Sequence, residues 1–389
     1  MSYNPEVWTI SSNEALKVSI ADDQGYVSFP PLFTYPIFGD SEQIFGYKDL
    51  KIDLVFDSIT FLPFLKVSYK EKLNDEVDDI TAKLLEFLPK STIVDDEVKW
   101  VDAFKKEQEE LIDYNKEFEL INTYNVKNEE FSIFKTSFQT SEGEKTKAVD
   151  LMKRLQIFVL LFIEAGSYID TSDELWDLFI LVSNKTKKIL GFSTAYSYFK
   201  YNGAIEFDSN PNVKKRNKIS QFVVLPPYQK TQHGSSLYSS IISYWNGNEL
   251  VEEITVEDPN EKFDDLRYRN DFKRLFEEGF INQLPKNLKT IDNKWFITNA
   301  NKFKIELNQF KKLVEIGYLY TENIKLARLL IKKRLYEKNR DGLVELELAI
   351  RNDKLQTAYE SIKQEYDRLI DSIRVRAVND IGSSKKQKV

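Results

Sequence analysis

The chain has 389 residues, 42% hydrophobic and 13% aromatic, enough to bury a sizeable core, and its length predicts two or three domains. Charged residues make up 30% while glycine (13) and proline (11) are few, which excludes a disordered or fibrous chain. There is no cysteine and one histidine, His233, which excludes disulfides, thiolate catalysis and any multi-histidine metal site; a net charge of −7 argues against naked nucleic acid as the main partner and is compatible with a basic one.

Residues 1–10 lack a basic stretch followed by an apolar one, so no secretory leader is expected. Residues 29–47, rich in Pro, Phe, Gly and Tyr, read as an ordered loop carrying Asp40 and Glu42. Ile52, Leu54 and Phe56 alternate, as do Leu65, Val67 and Tyr69, predicting two strands joined through 57–60. Helices are expected over 75–87 and 95–113, completing a mixed N-terminal domain, 1–115.

The middle part, 116–285, opens on an apolar segment, 152–165, expected as a buried helix with Glu164 near its end. Its apolar run, 157–163, is far short of the ~20 residues that span a bilayer. Strands follow over 178–182 and 189–198, joined by a turn at 184–187, with Tyr196, Tyr198 and Phe199 at the second strand's end. Residues 207–218 read as a polar loop, and 222–225 as a short buried strand stopped by Pro226 and Pro227. Next come Gln229, Lys230, Thr231, Gln232, His233, Gly234 and Ser235, then a helix with Leu237, Ile241 and Trp245 on one face, then a strand over 253–258. Helical periodicity dominates 286–381, including 322–338 and 341–373, and 382–389 reads as a disordered basic tail.

The turn 229–235 lies between a buried strand and an amphipathic helix. Amides at a helix N-terminus, helped by the helix dipole, suit a diphosphate. The same pattern also fits a plain strand–turn–helix connection. It is neither a Walker loop nor a dinucleotide fingerprint, because the required glycines and lysine are missing. Glu257 and Asp258 end the following strand, where a carboxylate can serve as general base or simply terminate the strand. Glu164, if buried, needs a partner or a raised pKa. His233 is expected to contribute its backbone rather than its ring. The Tyr196–Phe199 cluster fits either a substrate groove or strand filler.

The run from Ile219 through Phe222, Pro226, Pro227 and Gln229 to His233, Gly234 and Ser235 resembles the acetyl-CoA motif of type B histone acetyltransferases, members of the GNAT superfamily of N-acetyltransferases. Ile254-Thr255-Val256-Glu257-Asp258-Pro259-Asn260-Glu261, followed by Phe263 to Arg267, resembles that family's catalytic strand and following loop far more specifically. Leu32 to Pro36, Gly39 to Glu42 and Phe162 to Ala165 agree as well. The superfamily pattern has a glycine where this chain has Gln232. The resemblance implies an α+β GNAT fold, a mixed central sheet flanked by helices, with an N-terminal mixed domain and a helical C-terminal region.

The resemblance also implies roles. Backbone groups of Phe222, Val223 and Val224 pair with the pantetheine arm, amides from Gln229 to Ser235 hold the diphosphate, and Asn260 lies near the thioester. Glu257 is the general base, assisted by Glu164 and Asp258. Asp40, Glu42, Tyr196, Tyr198 and Phe199 bind the basic tail of histone 4, presented with histone 3. A WD-repeat histone chaperone is the implied partner and cytoplasm and nucleus the implied compartments, with no metal, membrane or direct nucleic-acid contact. The alternatives are a histone-binding scaffold with a weakened cofactor site and a small-molecule N-acetyltransferase; acetyl-CoA binding separates the first from an enzyme.

Overall fold

The structure is a computed structural model and describes residues 5–110, 114–140, 143–201, 203–209 and 214–386. It falls into two compact units, one made of 1–198 and 217–244, the other of 199–216 and 245–389. The boundaries expected at 115/116 and 285/286 both fall inside a unit, for a reason visible in the cores.

In the first unit, the N-terminal sheet contains β1 (Leu16–Asp22), β2 (Gly25–Phe29), β3 (Lys51–Asp57), β4 (Pro63–Ser68) and β5 (Ile93–Val94), in spatial order β2-β1-β3-β4-β5. β1 runs parallel to β3 and antiparallel to β2, while β3 and β4 form the expected antiparallel pair. Their link is tied by Asp57, whose Oδ2 accepts from the Thr60 amide at 2.6 Å and the Thr60 hydroxyl at 2.8 Å. Both faces of the sheet are covered. Val55 and Phe64 pack with Trp100 of the helix Glu97–Glu109. Ile52, Leu54 and Phe56 point the other way, where Phe56 meets Phe158 with ring centroids 4.8 Å apart.

Phe158 belongs to the apolar segment, which is two helices, α1 (Lys147–Leu155) and α2 (Ile157–Phe162), broken at Gln156. The expected helix therefore stops at Phe162 rather than Ala165, because Ile163 turns extended at φ −115° and ψ 123°. These helices also share their core with residues of the large sheet and its end, including Leu178, Ile180, Phe192, Val223 and Leu225. One core thus serves both the N-terminal sheet and the large sheet, so no domain boundary lies at 115.

The large sheet of this unit comprises β6 (Glu119–Val126), β7 (Glu129–Ser137), β8 (Trp176–Ser183), β9 (Ile189–Phe199) and β10 (Lys215–Val224), neighbours in that order. The β6–β7, β7–β8 and β8–β9 pairs are antiparallel. β10 is ten residues long, not four: the expected loop 207–218 is interrupted by the short helix Ala204–Ser209 and gives way to strand at Lys215. The amphipathic helix α3 (His233–Asn246) follows, with Leu237, Tyr238, Ile241, Ile242 and Trp245 buried as the periodicity predicted.

The second unit contains β11 (Val251–Val256) and the helices α4 (Glu261–Glu277), α5 (Asn293–Phe303), α6 (Leu307–Tyr320), α7 (Ile324–Lys338) and α8 (Leu348–Lys386). β11 bridges in parallel to Ile305, with the Ile254 amide donating to the Lys304 carbonyl at 2.8 Å. α6 is the central helix of a second core, with Phe310, Leu313, Val314 and Ile316 fully enclosed. α8 continues through Lys386, so the break expected at 382 is not present in the backbone, and 387–389 lie outside the described residues. The architecture is α+β with a helical C-terminal region, as the sequence predicts.

Candidate active site

In the first unit, β10 alternates along its length and turns Asn217, Ile219, Gln221 and Val223 inward. Near its end the Leu225 amide donates to the Leu190 carbonyl at 2.9 Å. The Val223 carbonyl lies so close to Gly191 that a Cβ there would sit 2.6 Å from it. Backbone groups at 223 and 225 therefore face β9, and the ladder's alternation directs those of Phe222 and Val224 to the other edge. The Val223 carbonyl thus lies on the β9 side of the strand. The Val224 carbonyl accepts from Gln229 Nε2 at 2.8 Å.

Pro226–Tyr228 forms a single 3₁₀ turn that carries the chain out of the strand. Lys230 at φ +60° and Gln232 at φ +71° are both left-handed and flank Thr231, whose hydroxyl donates to the Tyr228 carbonyl at 2.6 Å. Alternating backbone handedness can turn successive amides toward one side, the arrangement from which anion-binding concavities are built. The first turn of α3 begins one residue later and adds its dipole. Gln229, Lys230 and Gln232 are exposed, and Gly234 and Ser235 are half-buried in that first turn.

His233 is 5% exposed and its ring turns inward. Nδ1 lies 2.7 Å from Tyr124 Oη of β6, and the ring packs edge-on against Phe131 of β7 at 4.5 Å. Burial pushes its pKa below the usual imidazole value. The ring is thus a core group that anchors the start of α3 to the sheet.

Glu164 differs from expectation. It stands outside the helix, on a turn with Ala165 at φ +54°, and is exposed. The premise that burial tunes this carboxylate does not hold. Asp40 is exposed, whereas Glu42 is engaged within the loop. Its Oε1 accepts from the Thr34 amide at 2.7 Å and the Tyr35 amide at 3.1 Å, and Oε2 accepts from Asn13 Nδ2 at 2.8 Å. The Thr34 amide bond is the main reason its pKa lies below the ordinary carboxylate range. Glu42 holds the loop that carries Asp40.

Tyr196 stacks edge-on against Trp176 at 4.8 Å and tilts against Tyr198 at 6.1 Å. Its hydroxyl donates to Asp173 Oδ2 at 3.0 Å, which raises its pKa. These half-buried rings form an aromatic surface at the strand end. In the second unit, Phe199 is 38% exposed and packs against Tyr201.

Also in the second unit, β11 ends at Val256, two residues before the expected end, so Glu257 and Asp258 lie in a bend beyond the ladder. Asp258 has φ +32°, and both carboxylates are exposed. Asn260 caps α4: its Oδ1 accepts from the Phe263 amide at 2.9 Å. Residues 263–267, expected as loop, are the first turns of that helix. The described residues contain no group of three or more His, Cys, Asp or Glu arranged to hold a metal ion.

Sequence reasoning gave Gln221 no role beyond its place in the run from Ile219 to Phe222, and it missed Tyr124, whose strand had no apolar alternation to announce it.

A family model described as Histone acetyl transferase HAT1 N-terminus matches residues 8–164, and one described as Fungal HAT1, C-terminal matches residues 268–323. The histone acetyltransferase type B catalytic subunit of Kluyveromyces lactis is 45% identical to this chain over 375 residues, covering 96% of this chain and 94% of its own. The protein of the same name from Debaryomyces hansenii is 47% identical over an alignment of 403 residues, covering 100% of this chain and 96% of its own. Among solved structures, Arabidopsis thaliana NAA60 in complex with acetyl-CoA aligns with 37% of this chain and 84% of its own at 16% identity and a TM-score of 0.26.

Proposed function

This chain belongs to the family of type B histone acetyltransferase catalytic subunits and is a histone acetyltransferase; we propose that it moves the acetyl group of acetyl-CoA directly to lysine side chains in the amino-terminal tail of newly synthesised histone 4. The observation that carries the donor site is the turn 229–232, where two left-handed residues precede a fourteen-residue helix. Amides from Gln229 to Ser235 hold the diphosphate, and backbone groups of Phe222 and Val224 pair with the pantetheine arm. Asn260 caps α4 and lies near the thioester.

A lysine ammonium, with a pKa of about 10.4 in water, must lose its proton before its nitrogen can attack. Glu257 removes that proton, and Glu164 and Asp258 draw the cation in and assist. The free amine then attacks the thioester carbonyl; a C–N bond forms, the C–S bond breaks and the thiolate of CoA leaves. With no cysteine in the chain, a cysteine-bound acetyl-enzyme is not available, and direct transfer follows. Asp40, Tyr196, Tyr198 and Phe199 receive the basic tail, in the company of histone 3 and a WD-repeat histone chaperone, in cytoplasm and nucleus. No helix among the described residues is long and apolar enough to cross a membrane.

The test is transfer of labelled acetyl from acetyl-CoA to a peptide of the histone 4 tail. Glu257→Gln is expected to slow turnover by about 10²–10⁴-fold, the usual worth of a general base, while binding acetyl-CoA normally. A rate near wild type across the pH range would remove Glu257 from the role.

A further inference from the structure

We propose that Gln221 is a positioning residue, holding the turn that carries Glu164 against the strand that receives the acetyl donor. The inference rests on the reading of Glu164 and of Phe222 and Val224 given above.

Among the described residues, the Glu164 carboxylate has no hydrogen-bond or ion-pair partner, and it is exposed. Its place is therefore set by the backbone of the turn 163–167. That turn is tightly built. Ala165 is left-handed, the Gly166 amide donates to the Ile163 carbonyl at 3.0 Å, and Gly166 lies so close to Val159 that a Cβ would meet the Val159 carbonyl at 2.6 Å. Two side chains tie it to other elements. Tyr35 Oη, from the single helical turn Tyr35–Phe38, accepts from the Ala165 amide at 2.5 Å. Gln221 Nε2, from β10, donates to the Ser167 carbonyl at 2.7 Å. Gln221 immediately precedes Phe222, so this one side chain links the Glu164 turn to the donor strand.

The energetics argue that stability is not the reason for this residue. Gln221 is 5% exposed, and its Oε1 is buried with no hydrogen-bond partner among the described residues. A buried, unpaired amide oxygen is unfavourable, and an apolar side chain of similar volume avoids that cost. Ser167 is exposed, so water can satisfy its carbonyl once Nε2 is gone. What the amide supplies is a fixed distance between two functional segments.

Gln221→Met, Glu164→Gln and the double variant test this, with kcat, KM for the histone 4 tail peptide, acetyl-CoA affinity and thermal midpoint measured for each. Gln221→Met is expected to lower kcat by about 10- to 10²-fold, as a misplaced group does. Acetyl-CoA affinity should hold and the thermal midpoint should not fall. In the Glu164→Gln background the same change should add less than about twofold, because coupled residues are non-additive. Tyr35→Phe, which loosens the turn from its other side, should show the same dependence on Glu164. Additive effects with a slow Glu164→Gln enzyme, or loss of rate that tracks loss of folding or of acetyl-CoA binding, would overturn the positioning role and leave the Glu164 assignment standing. A Glu164→Gln enzyme of wild-type rate would remove that assignment and the inference with it.

Discussion

At the scale of the residue, the most informative position is Gln232. It holds φ +71° where the superfamily pattern has glycine. A side chain in that region costs about 1–2 kcal/mol, and glycine relieves it at the expense of more freedom in the unfolded chain, about 0.4–1 kcal/mol. Gln232→Gly should therefore stabilise the protein by roughly 1 kcal/mol or less, read from urea unfolding. If backbone amides hold the donor, as proposed above, acetyl-CoA affinity should be unchanged in calorimetric titration; a lost affinity would mean that the Gln232 side chain itself touches the donor. The left-handed backbone was not visible in the letters, since a left-handed glutamine looks like any glutamine. The departure at this position could be read from the sequence, but its conformation could not. His233 teaches the same lesson. Its place in the turn was legible, while the partner that buries its ring, Tyr124, is 109 residues away in the chain.

Legibility at the scale of the element depended on one-sided burial. Ile52, Leu54 and Phe56 alternate because their face meets the core around Phe158, while on the other face Lys51 is exposed and Asp53 half-buried and only the far end, at Val55, is covered by Trp100, and that strand was read correctly. β6 was missed because its side chains are mostly exposed, leaving no alternation to read. Its hairpin partner β7 is reached through Lys127 and Asn128, both left-handed, as a two-residue turn between twisted strands requires. The apolar run that ends α2 misled in the other direction. Ile163 is as apolar as its neighbours yet extended, so Glu164 is displaced from a buried helix to an exposed turn. In the helical region, the pattern located α6 and α7 but not the charges between them. Glu315 is enclosed by Arg334, with Nε–Oε1 and Nη2–Oε2 bonds of 2.8 Å each, and by Tyr366 Oη at 3.0 Å. Arg334→Met leaves a buried carboxylate without its counter-charge and is expected to cost about 3–5 kcal/mol in denaturant unfolding. Pairing it with Glu315→Leu should restore much of that loss; a single variant of wild-type stability would show that the ion pair is energetically idle.

At the scale of the whole molecule, the shared core decides what can be separated. The N-terminal sheet and the large sheet share one core with the same two helices, α1 and α2, the first through Phe56 and Phe61 and the second through Leu178, Ile180 and Phe192. A chain beginning at residue 116 should therefore lack a cooperative thermal transition and bind a dye specific for exposed apolar surface. If it instead unfolds cooperatively and binds acetyl-CoA, the N-terminal sheet is dispensable to the core. The sequence indicated a domain there because strand and helix patterns stop near 115, and pattern alone does not say whose apolar face covers whose. The same feature governs how the protein is made. The apolar faces of β1, β3 and β4 leave the ribosome long before α1 and α2, and the last contributors to their core are Val223 and Leu225. At roughly 5–20 residues per second, the nascent sheet waits on the order of ten seconds without its cover, so the early part of the chain spends its synthesis as a client of whatever shields apolar strands in the cell.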